Sequence, residues 1–245
     1  MSDETTKATA EDPDAQERGR QLLSAVERII DDPGSLISMV EEWERKTPRP
    51  PECDDGAWRQ SVADEIVSHF SNWSAVSGGA TALPATVPGI GTLVAVLGGA
   101  LADMGLVLKF EVEMALCLTH LHGWDIRDER ERQLAFLLAS VSTHDAKSGE
   151  NFLADLVRVE WEAVWKYTPR QLSKHLVTVM AKLAMASASK GLVRALPLVG
   201  VGVNAGINKV LTKRVGQRCT EELVKRRSTQ ADTVEAEVVD ASFTG

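Results

Sequence analysis

The chain has 245 residues, 44% apolar, 5% aromatic and 25% charged, with 27 Lys+Arg against 35 Asp+Glu and a net charge of −8. That composition suffices to bury a core in one domain, two at most, and excludes a collagen-like, disordered or disulfide-stapled chain. Cys53, Cys117 and Cys219 show no C-x-x-C spacing, which excludes a zinc ribbon, and the acidic start lacks the basic and apolar regions of a signal peptide, so the expected location is the cytoplasm.

Residues 1–12 read as a disordered acidic tail. Asp12-Pro13 starts a helix, since Asp caps well and Pro is tolerated at the first helical position. Leu22, Leu23, Val26, Ile29 and Ile30 fall at helical spacing, and Asp32-Pro33-Gly34 ends the run. Ser35 is the expected cap of a second short helix carrying Leu36, Ile37, Met39, Val40 and Trp43, so that 13–47 forms an N-terminal helical pair. A linker over 48–56, with Pro48, Pro50 and Pro51, sets this pair apart from a helical body over 57–227.

The body opens with a helix over about 57–76. From Ile66 to Ala102 there are then 37 residues without one Asp, Glu, Lys or Arg. This stretch contains the first apolar turn, with Leu83, Pro84, Val87, Pro88, Gly89, Ile90, Gly91 and Leu93. A long helix over about 92–122 follows, and Gly123 is a good C-cap. Further helices are expected from Asp128, from Phe152 to Trp165, and from Thr168-Pro169 to about Ser189. A second apolar turn carries Leu196, Pro197, Leu198, Val199, Gly200 and Gly202, and a basic helix over about 205–227 closes the body before a disordered acidic tail over 228–245. Strict alternation is rare, and the strand-like run from Leu198 to Val203 is its best instance, so the expected fold is an all-α multi-helix bundle. Both turns share P-x-x-G ahead of a helix rich in small residues, which suits a duplicated helix-turn-helix unit.

Charge is placed unevenly. Between Ala163 and Thr220 there is no acid, while ten Lys and Arg make the stretch +10; taking +10 from −8 leaves −18 elsewhere. Metal chemistry has little support, because His69, His120, His122, His144 and His175 lack ligand spacing, and no G-x-S-x-G marks a nucleophile. Gly200-Val-Gly-Val-Asn-Ala205 fits the dinucleotide fingerprint, yet Pro197 interrupts the strand it needs. No cofactor is expected. Nucleic acid is disfavoured as a partner by the overall negative charge and the absence of a recognisable binding motif.

No stretch offers the ~20 continuous apolar residues of a membrane span. The two apolar turns, with Lys209, Lys213, Arg214 and Arg218 on the last helix, instead match peripheral binding, in which apolar insertion is joined by attraction to anionic lipid. The membrane-contact candidates are Leu83, Val87, Ile90, Leu93, Leu196, Leu198 and Val199. The competing reading buries both turns in a bundle. Asp103, Glu111 and Glu113 are the acids available for a hydrolase, since a carboxylate in so apolar a helix would have a raised pKa.

Pro84-Ala-Thr-Val-Pro-Gly-Ile-Gly-Thr-Leu-Val, Leu101-Ala-Asp-Met, Leu121-His-Gly-Trp-Asp125, Leu196-Pro-Leu-Val-Gly-Val-Gly-Val-Asn204 and Leu211-Thr-Lys-Arg-Val-Gly216 resemble, in order and spacing, the EcsC-like family of bacterial proteins. Members more often show Tyr-Gly-Tyr-Asp where this chain has His122-Gly-Trp-Asp125, and an aromatic residue where it has Lys209. The resemblance implies an α-helical, membrane-associated protein without an assigned catalytic residue. The expectation is therefore a non-enzymatic accessory or adaptor on the inner face of the cell membrane. A hydrolase and a soluble homo-oligomeric scaffold are the alternatives.

Overall fold

The computed structural model describes residues 12–77, 97, 99–148, 164–189 and 200–243. The apolar turns at 78–96 and 190–199 lie outside the described residues, and with them Leu83, Pro84, Val87, Pro88, Gly89, Ile90, Gly91, Leu93, Leu196, Pro197, Leu198 and Val199. Among the described residues there are seven helices and no strand: α1 Pro13–Glu27, α2 Pro33–Lys46, α3 Asp55–Ser77, α4 Gly99–Leu121, α5 Glu129–Ser148, α6 Pro169–Ser189 and α7 Gly200–Phe243. The protein is all-α.

Local chemistry places most of the helix ends. Asp12 Oδ1 accepts the Asp14 amide at 3.1 Å, with Pro13 in the first helical position. For α2 the cap is Asp32 rather than Ser35, because Pro33 already starts the helix and the Asp32 carboxylate accepts from the Ser35 amide (3.1 Å) and hydroxyl (2.6 Å). Asp54 takes the amides of Gly56 and Ala57 at the start of α3. Gly123, at φ +100°, turns the chain out of α4 while the Trp124 amide reaches back to the Thr119 carbonyl at 3.2 Å. At α6 the Thr168 amide and hydroxyl both donate to Gln171 Oε1 at 2.9 Å, the side-chain half of a capping box.

Helix α4 is the axis of the bundle and touches the other six helices. Its residues from Met104 to Leu118 are buried on every side, as an apolar helix must be when neighbours surround it. The N-terminal pair is not a separate unit. Leu22, Val26, Leu36 and Val40 join the same core as Ile66, Leu108, Leu137 and Met180. A Cβ on Gly19 would stand 2.7 Å from the Ala181 amide nitrogen and 2.8 Å from the Val177 carbonyl oxygen, so α1 lies directly on the backbone of α6. Gly19→Ala should therefore cost about 1–3 kcal/mol by forcing the two backbones apart. Urea unfolding reads this as a lower midpoint, and an unchanged midpoint would contradict the close approach.

Helix α7 starts at Gly200, earlier than the sequence suggests, and takes Gly202 and most of the strand-like run into its first turns. It also runs on to Phe243, so the C-terminal segment is helical instead of a disordered tail. The reason is the absence of a breaker: no Gly or Pro stands between Gly216 and Gly245, so helix growth meets no residue that costs it heavily.

The contacts along α7 fix the direction of its neighbours. Ser74 near the end of α3 meets Thr212 at 2.8 Å, whereas Asp55 at its start lies 3.5 Å from Arg227, so α3 and α7 are antiparallel. Glu111 of α4 lies 3.0 Å from Thr212, and Glu131 of α5 meets Arg226. The end of α3 and the start of α7 thus share one end of the bundle. The start of α3, the start of α5 and Arg226 share the other.

Candidate functional site

The buried face of α7 is set by its small and polar residues. Thr212, Val215, Gly216, Cys219 and Leu223 turn inward, and a Cβ on Gly216 would come within 2.6 Å of Val67 Cγ2 and 2.8 Å of Met114 Sδ. That close seat commits the opposite face to solvent. Ile207 is 49% exposed and Val210 52% exposed, and Lys209, Lys213 and Arg214 are exposed among them. Arg218 is half-buried. From Gly200 to Thr220 no acid interrupts these cations. On α3, next to the Ser74 that meets Thr212, Trp73 is 43% exposed and stacks on Phe110 with ring centroids 6.4 Å apart. The arrangement is a basic helix face with two aliphatic side chains in it and an aromatic ring at the same level of the bundle. It can bind an anionic, partly apolar surface.

The three sequence-nominated acids do not come together into a site. Glu111 is fully buried, with Thr143 Oγ1 2.5 Å from its Oε2 and Thr212 Oγ1 3.0 Å from its Oε1, and so it ties α5 and α7 to α4. Glu113 is buried and accepts from Lys109 Nζ and from the Asp31 amide at 2.8 Å. Burial raises its pKa, against the pull of Lys109. Asp103 is half-buried. The first two are structural acids that fix helix positions.

Neither buried cysteine is suited to nucleophilic work. Burial pushes the Cys219 thiol up to about 12 and the Cys117 thiol higher still. Gly200-Val-Gly-Val-Asn-Ala205 lies within α7, whereas the dinucleotide fingerprint needs its glycines in the turn before a helix. Among the described residues no group of three or more His, Cys, Asp or Glu is placed to hold a metal ion. No described helix is long and apolar enough to cross a membrane.

Lys209, Lys213, Arg214 and Arg218 are visible in the sequence as a basic run, whereas the exposure of Ile207, Val210 and Trp73 is seen only in the fold. The apolar candidates read from the sequence are in the two turns, which lie outside the described residues. The signal for the missed pair is the i,i+3 spacing of Ile207 and Val210, which with Arg214 lie on the side of the helix away from Gly216, while Lys213 and Lys209 flank the buried face. No known family's sequence profile matches the chain, and no curated protein or solved structure matches it significantly.

Proposed function

We propose that this protein is an EcsC-like, non-enzymatic accessory protein that docks on the anionic inner face of the cell membrane through the first half of α7 and serves as an adaptor in a membrane or transport process. The observation that carries this reading is the exposure of Ile207 and Val210 between Lys209, Lys213 and Arg214, on a face that the bundle leaves free among the described residues. Each cation near an anionic surface contributes about 1 kcal/mol, and the aliphatic side chains and Trp73 add apolar burial. The two contributions together favour weak, reversible and salt-sensitive binding. In sequence the apolar stretches at 78–96 and 190–199 directly follow α3 and precede α7.

Flotation with vesicles of phosphatidylglycerol and phosphatidylcholine at low salt tests the reading. The protein should float with the vesicles, lose most of that binding when Lys209, Lys213 and Arg214 are all replaced by Glu, and lose part of it with Ile207→Ser and Val210→Ser. Absence of flotation, or flotation indifferent to the charge reversal, would overturn the proposal. A stable homo-oligomer without lipid affinity would point to the scaffold reading.

A further inference from the structure

At the other end of the bundle three guanidinium groups converge on one carboxylate. Asp55 Oδ2 accepts from Arg59 Nε at 2.8 Å, and the same carboxylate lies 3.2 Å from Arg49 Nη2 and 3.5 Å from Arg227 Nη2. The cations come from the Pro-rich connection, from α3 and from α7, so only the folded chain assembles them. One carboxylate offsets one positive charge of three. Asp54, the nearest other acid in sequence, is turned to the amides that it caps, while Asp125 pairs with Arg127 and Glu131 with Arg226.

The cluster is open on one side and built on the other. Arg49 and Arg227 keep 50% and 44% of their side-chain surface exposed, and Arg49 lies over the Trp58 ring at 5.2 Å, which orients its guanidinium plane. Arg59 is more enclosed and donates through Nη1 to the Leu121 carbonyl, at the end of α4. The next residue is His122. It is 6% exposed, and neither ring nitrogen has a hydrogen-bond partner among the described residues. Burial, and then the charges of Arg59 and Arg227 beside it, hold its pKa down to about 4. At neutral pH the ring is therefore uncharged, with one N–H left to give. A buried polar group without a partner is uncommon in a folded protein, and here it stands next to surplus positive charge.

We propose that Arg49, Arg59 and Arg227 form a binding site for the phosphate group of a small soluble phosphorylated molecule, with Asp55 holding the guanidiniums together in its absence and His122 buried behind them. Guanidinium forks match phosphate oxygens in geometry and charge, and a doubly charged phosphate neutralises the surplus that Asp55 leaves. A lipid headgroup is the less fitting source. Arg227 of this cluster stands 13 to 18 residues along α7 from Arg214 and Lys209 of the basic face, about 20–27 Å at 1.5 Å per residue.

The test is titration of isotope-labelled protein with inorganic phosphate at constant ionic strength, following the His122 ring resonances by NMR, with sodium chloride as the control. The expected result is a saturable shift with phosphate and none with chloride. The double variant Arg49→Gln, Arg227→Gln should bind about tenfold more weakly or worse, since loss of one charge-assisted bond is worth at least that factor. Asp55→Asn should bind phosphate more tightly, because it removes the competing anion while Asp54 still caps the helix. Flotation with anionic vesicles should be unchanged in the double variant. An absent or non-saturable shift, an equal response to chloride, wild-type affinity in the double variant, weaker binding by Asp55→Asn, or loss of flotation with the double variant would each overturn the assignment.

Discussion

Arg226→Met is expected to destabilise the protein by about 3–5 kcal/mol, the range for removing one partner of a buried ion pair. Arg226 and Glu131 are both buried, and the two guanidinium nitrogens meet the two carboxylate oxygens at 2.6 and 2.8 Å. The guanidinium also lies between two indoles, 4.2 Å from the Trp124 ring and 4.5 Å from the Trp165 ring. Four parts of the chain are joined by that one group: the turn after α4, the start of α5, the approach to α6 and α7. Without it, Glu131 keeps only Arg130 among the described residues, whose Nη1 is 3.2 Å away and whose other nitrogens donate to the Trp165 and Tyr167 carbonyls. The carboxylate is then buried with a partner that is already engaged, and its desolvation is poorly offset. Adding Glu131→Gln to Arg226→Met removes the stranded charge and should recover a large part of the loss. Urea unfolding of the wild type, both single variants and the double variant measures the coupling. If the double variant is as unstable as Arg226→Met, the cost lies in lost packing against Trp124 and Trp165 and not in an uncompensated charge.

The sequence displays those parts of the fold that local chemistry decides. Asp12-Pro13 and Thr168-Pro169 announce helix starts, and Gly123 announces an end, because caps and φ restrictions act within four residues, whereas Asp32-Pro33 reads as an end and proves to be the start of α2. That α4 is the central helix is seen only in the fold, since Lys109, Glu111 and Glu113 give it charges that read as exposed until their partners are known. Association between distant segments is not written in this way. Glu131 and Arg226 are 95 residues apart, and nothing in either neighbourhood says that they pair. Gly19 reads as an ordinary helical glycine until α6 is seen against it. For the same reason the Pro-rich connection suggests a boundary that packing overrides, with Leu22, Val26 and Leu36 buried in the common core.

The candidate site was half legible for a related reason. Along α7 two apolar stripes run on different sides, Val215, Cys219 and Leu223 on one and Ile207, Val210 and Val224 on the other. Periodicity alone does not say which is buried. Gly216 decides it, since only a residue without a side chain lets α7 settle against Val67 and Met114. The cations of the site were visible because charge needs no partner to be counted. The arginine cluster was not, since Arg49, Arg59 and Arg227 become neighbours only when α3 and α7 run antiparallel.

Acid should weaken the fold in a window that His122 defines. Its pKa falls from an ordinary 6.5 to about 4 in the folded protein, through burial first and then through Arg59 and Arg227. Between those values the unfolded chain binds a proton on this ring and the folded chain does not, so stability falls as pH falls through the window. At about 1.4 kcal/mol for each pH unit that the window spans, the full effect is roughly 3 kcal/mol, complete near pH 4 and absent above pH 7. Glu113 acts in the other direction. Its raised pKa means that the folded protein binds the proton more readily than the unfolded chain, so its protonation favours folding as pH drops below its folded value. The observed curve sums these and other groups, and a substitution separates them. His122→Phe keeps a buried ring of similar size and removes the titrating nitrogens, which have no hydrogen bond to lose among the described residues. Its stability relative to wild type should therefore improve by up to about 3 kcal/mol between pH 7 and pH 4. Denaturant midpoints at half-unit pH intervals measure that difference. Two parallel curves would mean that the ring is already protonated in the folded protein, or is accessible to water, and in either case the surplus charge beside it would not be as desolvated as the geometry implies.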